Sequence, residues 1–376
     1  MFSTLRKNVP TTQFPSRLLV AASGTGGHVF PAIATAEQLA EYQIEWLGTP
    51  DRLEAQLVGD RYPLHTISVA GFQQKLGLAT LKVVWRLVSS VHQVRQILQR
   101  GKFDGVFTTG GYIAAPAILA ARSLGLPVIL HESNALPGKV TRWFAPWCSV
   151  VAIGFAAAAD RLPRAKTVCV GTPVRSQFRA ALSDSALENL PIPPDVPLIV
   201  VAGGSQGAVA LNQMVRKAAE TWFSAGAWVV HLTGENDPEA ASLQHPHYLA
   251  LPFYNHMARL FQRASLAISR SGAGTLTELA VTHTPSLLIP YPFAAEDHQA
   301  FNADVFVQAG AALMFRQSEL TPEILAAEVL SLLNSSDRLQ TMSRQAASLA
   351  VMDSAERSAE LIRQQLSPRS PLQESN

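Results

Sequence analysis

"LLVAASGTGGHVFPAIATAEQLA" (residues 18–40) and "LIVVAGGSQGAVALNQMVRKAAE" (residues 198–220) share one pattern. Each is a short continuous apolar run, then a glycine-rich turn, then a helical periodicity. A continuous apolar strand is buried on both faces, as in a parallel sheet. A second pair repeats further along each half: "GVFTTGGYIAAPAILAARSLGLPVIL" from Gly105 and "LAISRSGAGTLTELAVTHTPSLLIP" from Leu266. Both read strand, small-residue turn, helix, strand. The expectation is an α/β chain of two Rossmann-like domains with parallel sheets, whose ligand crevices lie outside the carboxyl ends of the strands.

The reading assigns residues 1–16 to a flexible leader and 17–172 to the first domain. Residues 173–352 form the second domain, and 367–376 a disordered tail. Length fits this division, because 376 residues exceed one ordinary domain. The formal charge of +2, from 30 basic and 28 acidic residues, is too balanced to imply nucleic acid. Two cysteines, Cys148 and Cys169, make no disulfide framework. No His, Cys and carboxylate cluster has metal-ligand spacing. The longest apolar run, "VVAIGFAAAA" (residues 150–159), is about half the length that spans a bilayer.

Gly24, Gly26 and Gly27 allow close approach of a ligand to the first loop. No Gly-Lys-Ser/Thr follows, so the loop is not a Walker A motif. Val29 stands at the third glycine position of a dinucleotide fingerprint, and no acid closes the second strand. His28 sits where the helix begins, and a helix N-terminus favours the neutral imidazole that a general base requires. Glu132 in "HESNALPG" is the second candidate base, with Asn134 beside it. In the second half, "GGSQGA" offers backbone donors and the Ser205 hydroxyl. "RSGAGTLTE" lets a phosphate or sugar approach a helix start, and Glu278 could accept from a ribose diol. "AAEDHQAFNA" could bring Gln299 and Asn302 to a polyhydroxylated ligand.

Residues 61–103 hold no acid but seven cations. Leu81, Val84, Val88, Val91 and Leu98 trace a helical stripe read as core. Phe72, Lys75, Leu76, Leu78, Lys82, Trp85 and Arg86 lie off it, as apolar tips among cations. That mixture fits docking on an anionic bilayer surface.

Taken in order, "GTGGHVFPA", "GGY" (residues 110–112), "HESN", "GTPVR", "GGSQGA", "RSGAGTLTE" and "DHQAFNA" closely resemble the MurG family. These are the peptidoglycan N-acetylglucosaminyltransferases that convert lipid I to lipid II. The resemblance runs from about residue 17 to about residue 366. It implies a GT-B fold of two domains facing a cleft, with the last helix (residues 353–366) crossing back to the first domain. It also implies inverting transfer of GlcNAc from UDP-GlcNAc to the muramyl 4-OH of lipid I. Carried over by motif, the donor site comprises Thr25, Gly26, Gly27, Asn134, Arg175, Ser205, Tyr254, Gln299 and the run Ala273, Gly274, Thr275, Leu276, Thr277 and Glu278. The acceptor diphosphate falls to Gly24, Gly26, Gly27, Gly110, Gly111 and Tyr112.

No cofactor, metal or nucleic acid is implied. The implied partners are the two substrates, an anionic inner-membrane surface on its cytoplasmic side, and a cell-wall synthesis complex. Ser23, Ser133 and Thr172 depart from the family's commonest residues. The rivals are another GT-B enzyme acting on a lipid such as diacylglycerol, and a non-catalytic nucleotide-sugar-binding protein.

Overall fold

The computed structural model describes residues 16–50, 53–69, 78–180, 187, 190–204 and 207–366, without the side chains of Leu53 and residues 78–83. Residues 1–15 of the leader, the tail, Ser205, Phe72, Lys75 and Leu76 lie outside the described residues, as do the side chains of Leu78 and Lys82.

The first half runs β1 (Arg17–Ala21), α1 (Gly26–Ala36), β2 (Gln43–Gly48), α2 (Leu53–Val58), β3 (Leu64–Thr66), α3 (Leu78–Gly101), β4 (Gly105–Thr108), α4 (Ala114–Ser123), β5 (Val128–Glu132), α5 (Lys139–Phe144), β6 (Val150–Ile153) and β7 (Thr167–Cys169). The second half continues with β8 (Leu198–Ala202), α6 (Val209–Ser224), β9 (Trp228–Leu232), β10 (Tyr248–Leu251), α7 (Met257–Arg263), β11 (Leu266–Ser269), α8 (Ala273–Val281), β12 (Ser286–Leu288), α9 (His298–Gln308), β13 (Ala312–Met314), α10 (Pro322–Leu333), α11 (Ser336–Ser348) and α12 (Ser354–Leu366). Among the described residues these strands form two parallel sheets, ordered β3-β2-β1-β4-β5-β6-β7 and β10-β9-β8-β11-β12-β13. The architecture is the doubly wound, two-sheet α/β arrangement expected from the repeated pattern.

Continuous apolar strands force this outcome. Leu18, Leu19, Val20, Leu198, Ile199, Val200 and Val201 are all fully buried, because helices cover both faces of each sheet. In each half the order reverses beside the first strand, so β1 is flanked by β2 and β4, and β8 by β9 and β11. Loops at the carboxyl ends of these neighbours therefore converge. The last helix, α12, packs Ala359, Leu361 and Ile362 into the core of the first sheet beside α1.

One expectation fails in α3. Val84 and Val88, read as core, are 53% and 60% exposed, and Trp85 is 71% exposed. Leu98 is buried and Val91 packs on the core as expected, but the buried side runs through Ser90 and Val94 rather than Val84 and Val88. The reason is length. At about 1.5 Å per residue a helix of 24 residues outruns the four-residue strand β4 that it precedes, so its first turns overhang the sheet's carboxyl edge.

Candidate active site

The first loop leaves β1 at Ala22 and turns through Gly24, whose φ of +99° is open to glycine without strain. Thr25 then caps α1 in an extended conformation, with no side-chain cap and no acid in the first turn. The opening amides of α1, Gly26 and Gly27, have no intrahelical acceptor, which gives this end a positive potential. Gly24 is different. Its N–H donates to the carboxylate of Glu54, 3.1 Å away, so this amide is taken, contrary to its expected place in the acceptor set.

His28 is the third residue of α1 and is fixed from the residue that follows β4. Its Nδ1 lies 2.7 Å from the carbonyl oxygen of Thr109, and the Thr109 hydroxyl donates to the His28 carbonyl at 2.9 Å. A carbonyl only accepts, so Nδ1 carries a proton, and in this tautomer Nε2 is the nitrogen left to accept. The ring lies against Gly110 and Gly111: a Cβ on the latter would stand 3.5 Å from Nε2. Both glycines have positive φ, +92° and +75°, which shapes the turn under the imidazole. Tyr112 stands half exposed at the same rim.

Glu132 is a poor match for the role of base. It is buried, and its oxygens accept from Asn134 N, Asn134 Nδ2, Gly138 N and the Thr141 hydroxyl at 2.6–3.0 Å. Four donors on one carboxylate make it the anchor of the loop 133–138. His131, adjacent in sequence, is also structural: it donates to the Gly171 carbonyl, and burial lowers its pKa.

Facing these loops, the second half presents α8, whose N-terminus also lacks an acid in its first turn. Gly274, Thr275, Thr277 and Glu278 are partly accessible, and Ala273 is nearly covered. Leu276 is fully buried in the core behind the helix, so its side chain cannot line a ligand as expected. Arg175, from the segment joining the halves, pairs with Glu278 at 3.0 Å. Burial pushes the Glu278 carboxyl up, and the Arg175 charge pulls it back. The guanidinium also stacks on Phe30 of α1, 4.3 Å from the ring centroid. Gln299 at the start of α9 accepts from Tyr291 N at 2.9 Å with its amide oxygen. Tyr254 sits partly covered in the loop after β10.

The two asparagines read as sugar ligands meet each other. Asn302 is fully buried; its amide donates to Asn134 Oδ1 at 3.1 Å and accepts from Ala135 N at 2.8 Å. Arg142 and Glu296 add an ion pair between the same two segments, and Arg161 covers the Phe301 ring. The carboxyl edges of the two sheets are thus opposed and bridged. Thr172, at the junction, receives the Ser354 hydroxyl on its carbonyl.

Several residues here carry no signal in the sequence. Thr109 and Glu54 act only because the strand order brings β2 and β4 to either side of β1, and Phe30 because Arg175 of the joining segment lies over it. Behind the second-half loop, Tyr248 donates to His231, which donates to Asn212. Asn212 donates to Asp237 and to the Thr233 carbonyl, and Arg216 closes the network on Asp237 at 2.7 Å. Every member is satisfied, and burial drives the His231 pKa down to about 3. The network fixes Thr233, against whose carbonyl Gly207 is packed.

Family models of the glycosyltransferase family 28 N-terminal domain and C-terminal domain match residues 18–153 and 198–358. The chain is 66% identical over 350 residues to a Nostoc punctiforme protein called UDP-N-acetylglucosamine–N-acetylmuramyl-(pentapeptide) pyrophosphoryl-undecaprenol N-acetylglucosamine transferase, covering 93% of this chain and 98% of that one. A Trichodesmium erythraeum protein of the same name is 64% identical over 356 residues, covering 95% and 94%. The crystal structure of Acinetobacter baumannii MurG superimposes with a TM-score of 0.76 at 30% identity, covering 93% of this chain and all of that one. The chain belongs to the MurG family of GT-B glycosyltransferases.

Proposed function

We propose that this chain transfers GlcNAc from UDP-GlcNAc to the muramyl 4-OH of lipid I, giving lipid II. The observation that carries the reading is a juxtaposition on one helix. His28 offers Nε2 at the first sheet's edge, and two residues on, Phe30 carries Arg175, which pairs with Glu278. A base and the groups suited to a nucleoside diphosphate thus meet across one cleft.

In this reading Nε2 of His28 takes the proton of the acceptor hydroxyl as its oxygen attacks the donor's anomeric carbon. The bond from that carbon to the diphosphate oxygen breaks on the opposite face, and UDP departs. Configuration inverts from α to β, and the proton on His28 passes to solvent. Charge developing on the leaving diphosphate is met by Arg175 and by the N-terminus of α8, with Ser205 the further donor that the sequence motif supplies. Glu278 accepts from the ribose hydroxyls, Gln299 offers its amide to the sugar, and Asn134 reaches it once its contact with Asn302 opens. The acceptor diphosphate rests on the Thr25–Gly27 turn and the glycines 110 and 111. Proton NMR of the disaccharide tests the mechanism: a large diaxial coupling at the new anomeric proton is expected, and a small one would show retention.

The same reading places the chain on an anionic membrane surface. Among the described residues no helix is long and apolar enough to cross a membrane. Val84, Trp85 and Val88 are exposed together on the overhang of α3, and Arg86 beside them lines a hollow with Ser68 and Val69. Aromatic and aliphatic tips next to a cation suit an interface of anionic headgroups. Combining Trp85→Ala with Arg86→Glu is expected to weaken binding to phosphatidylglycerol vesicles at least about tenfold. Unchanged binding would remove this face from the account.

A further inference from the structure

Glu54 is fully buried, yet it has no cationic partner among the described residues. It projects from α2, after β2, towards the first glycine turn. One carboxylate oxygen accepts from Thr49 N at 2.8 Å and from the Thr49 hydroxyl at 3.0 Å; the other accepts from Gly24 N at 3.1 Å. Gly48 leaves room for it, since a Cβ there would stand 2.8 Å from the Glu54 side chain. A buried carboxylate held only by neutral donors is costly, and the two Thr49 bonds that secure the β2–α2 turn use just one of its oxygens.

The other oxygen acts on the Ser23–Gly24 peptide. Gly24, at φ +99°, could let the Ser23–Gly24 peptide rotate, because glycine accepts either sign of φ. Glu54 holds that N–H inward, and the Ser23 carbonyl then faces Gly111, beside the His28 ring. The amides of Gly26 and Gly27, at the start of α1, keep no intrahelical acceptor. We infer that Glu54 is the positioning residue of this turn: it presets the Ser23–Gly24 peptide, so that the acceptor's phosphates are met by Thr25–Gly27 rather than by Gly24. The inference rests on the reading that this loop receives the lipid-linked diphosphate. Presetting a turn matters because ordering each residue on binding would otherwise oppose affinity.

In Glu54→Gln, the amide oxygen can serve the two Thr49 donors, which leaves an NH2 facing Gly24 N–H and releases the turn. Glu54→Asp keeps the charge but shortens the reach to Gly24. Hydrogen exchange of the full chain, without substrates, should show the amides of residues 24–27 exchanging at least tenfold faster in both variants, with β1 unchanged. With a soluble lipid I analogue, the KM for acceptor should rise about tenfold, while the KM for UDP-GlcNAc stays within twofold. The inference is overturned if loop exchange is unchanged, or if both KM values rise together as a general loss of structure would require. Should the wild type not use lipid I at all, the acceptor reading fails, and the exchange result alone decides whether Glu54 presets the turn.

Discussion

Replacing His28 by alanine is expected to lower kcat by at least about 10²-fold, within the 10²–10⁴ range of general-base catalysis, with UDP affinity unchanged. The ring is half-buried, so its removal disturbs little packing; what is lost is the acceptor atom Nε2. Its orientation is fixed at the other nitrogen by the Thr109 carbonyl at 2.7 Å, and the α1 backbone holds the ring over Gly110 and Gly111. Pre-steady-state measurement of UDP release, alongside calorimetric binding of UDP, separates the outcomes. A variant that binds UDP normally and turns over at nearly the wild-type rate would make the imidazole a structural group. Glu132 would not inherit the role, because its four donors already occupy both oxygens.

Arg175→Ala is expected to lower kcat/KM for UDP-GlcNAc by about 10²–10³-fold, the scale of losing one donor to a developing negative charge. The variant also strands Glu278, whose carboxyl burial already pushes up and which has Arg175 as its ion-pair partner. Leaving a charge without its partner destabilises, so a fall in Tm should accompany the kinetic loss. Arg175→Lys should recover only part of the activity, because an ammonium cannot reproduce the planar stacking on Phe30 together with the hydrogen bond to Glu278. Steady-state kinetics on the three proteins check this; a loss under about tenfold for the alanine variant would separate Arg175 from the leaving group.

What the sequence discloses follows from how locally each feature is written. The glycine turns at 24–27 and 272–274 and the apolar runs beside them are contiguous, so the two-sheet fold is legible in the order of residues alone. His28, Arg175 and Glu278 stand out because the ordered motifs that carry them resemble one family. Glu54 does not, since no motif contains it and its target lies 30 residues away in the chain. Thr109 and Phe30 are hidden for the same reason. In α3 the apolar spacing suits a core face, but periodicity carries no record of where the sheet ends, and Val84 and Val88 fall beyond it. Asn134 and Asn302 are legible as polar groups at sheet edges; that they bond to each other depends on how the halves meet.

The most direct test of the central claim is acceptor-dependent UDP release from UDP-GlcNAc by the full chain, measured with a soluble lipid I analogue and, separately, with diacylglycerol. The account predicts one UDP per disaccharide formed, with lipid I alone supporting the reaction. Release with diacylglycerol but not with the lipid I analogue would contradict it.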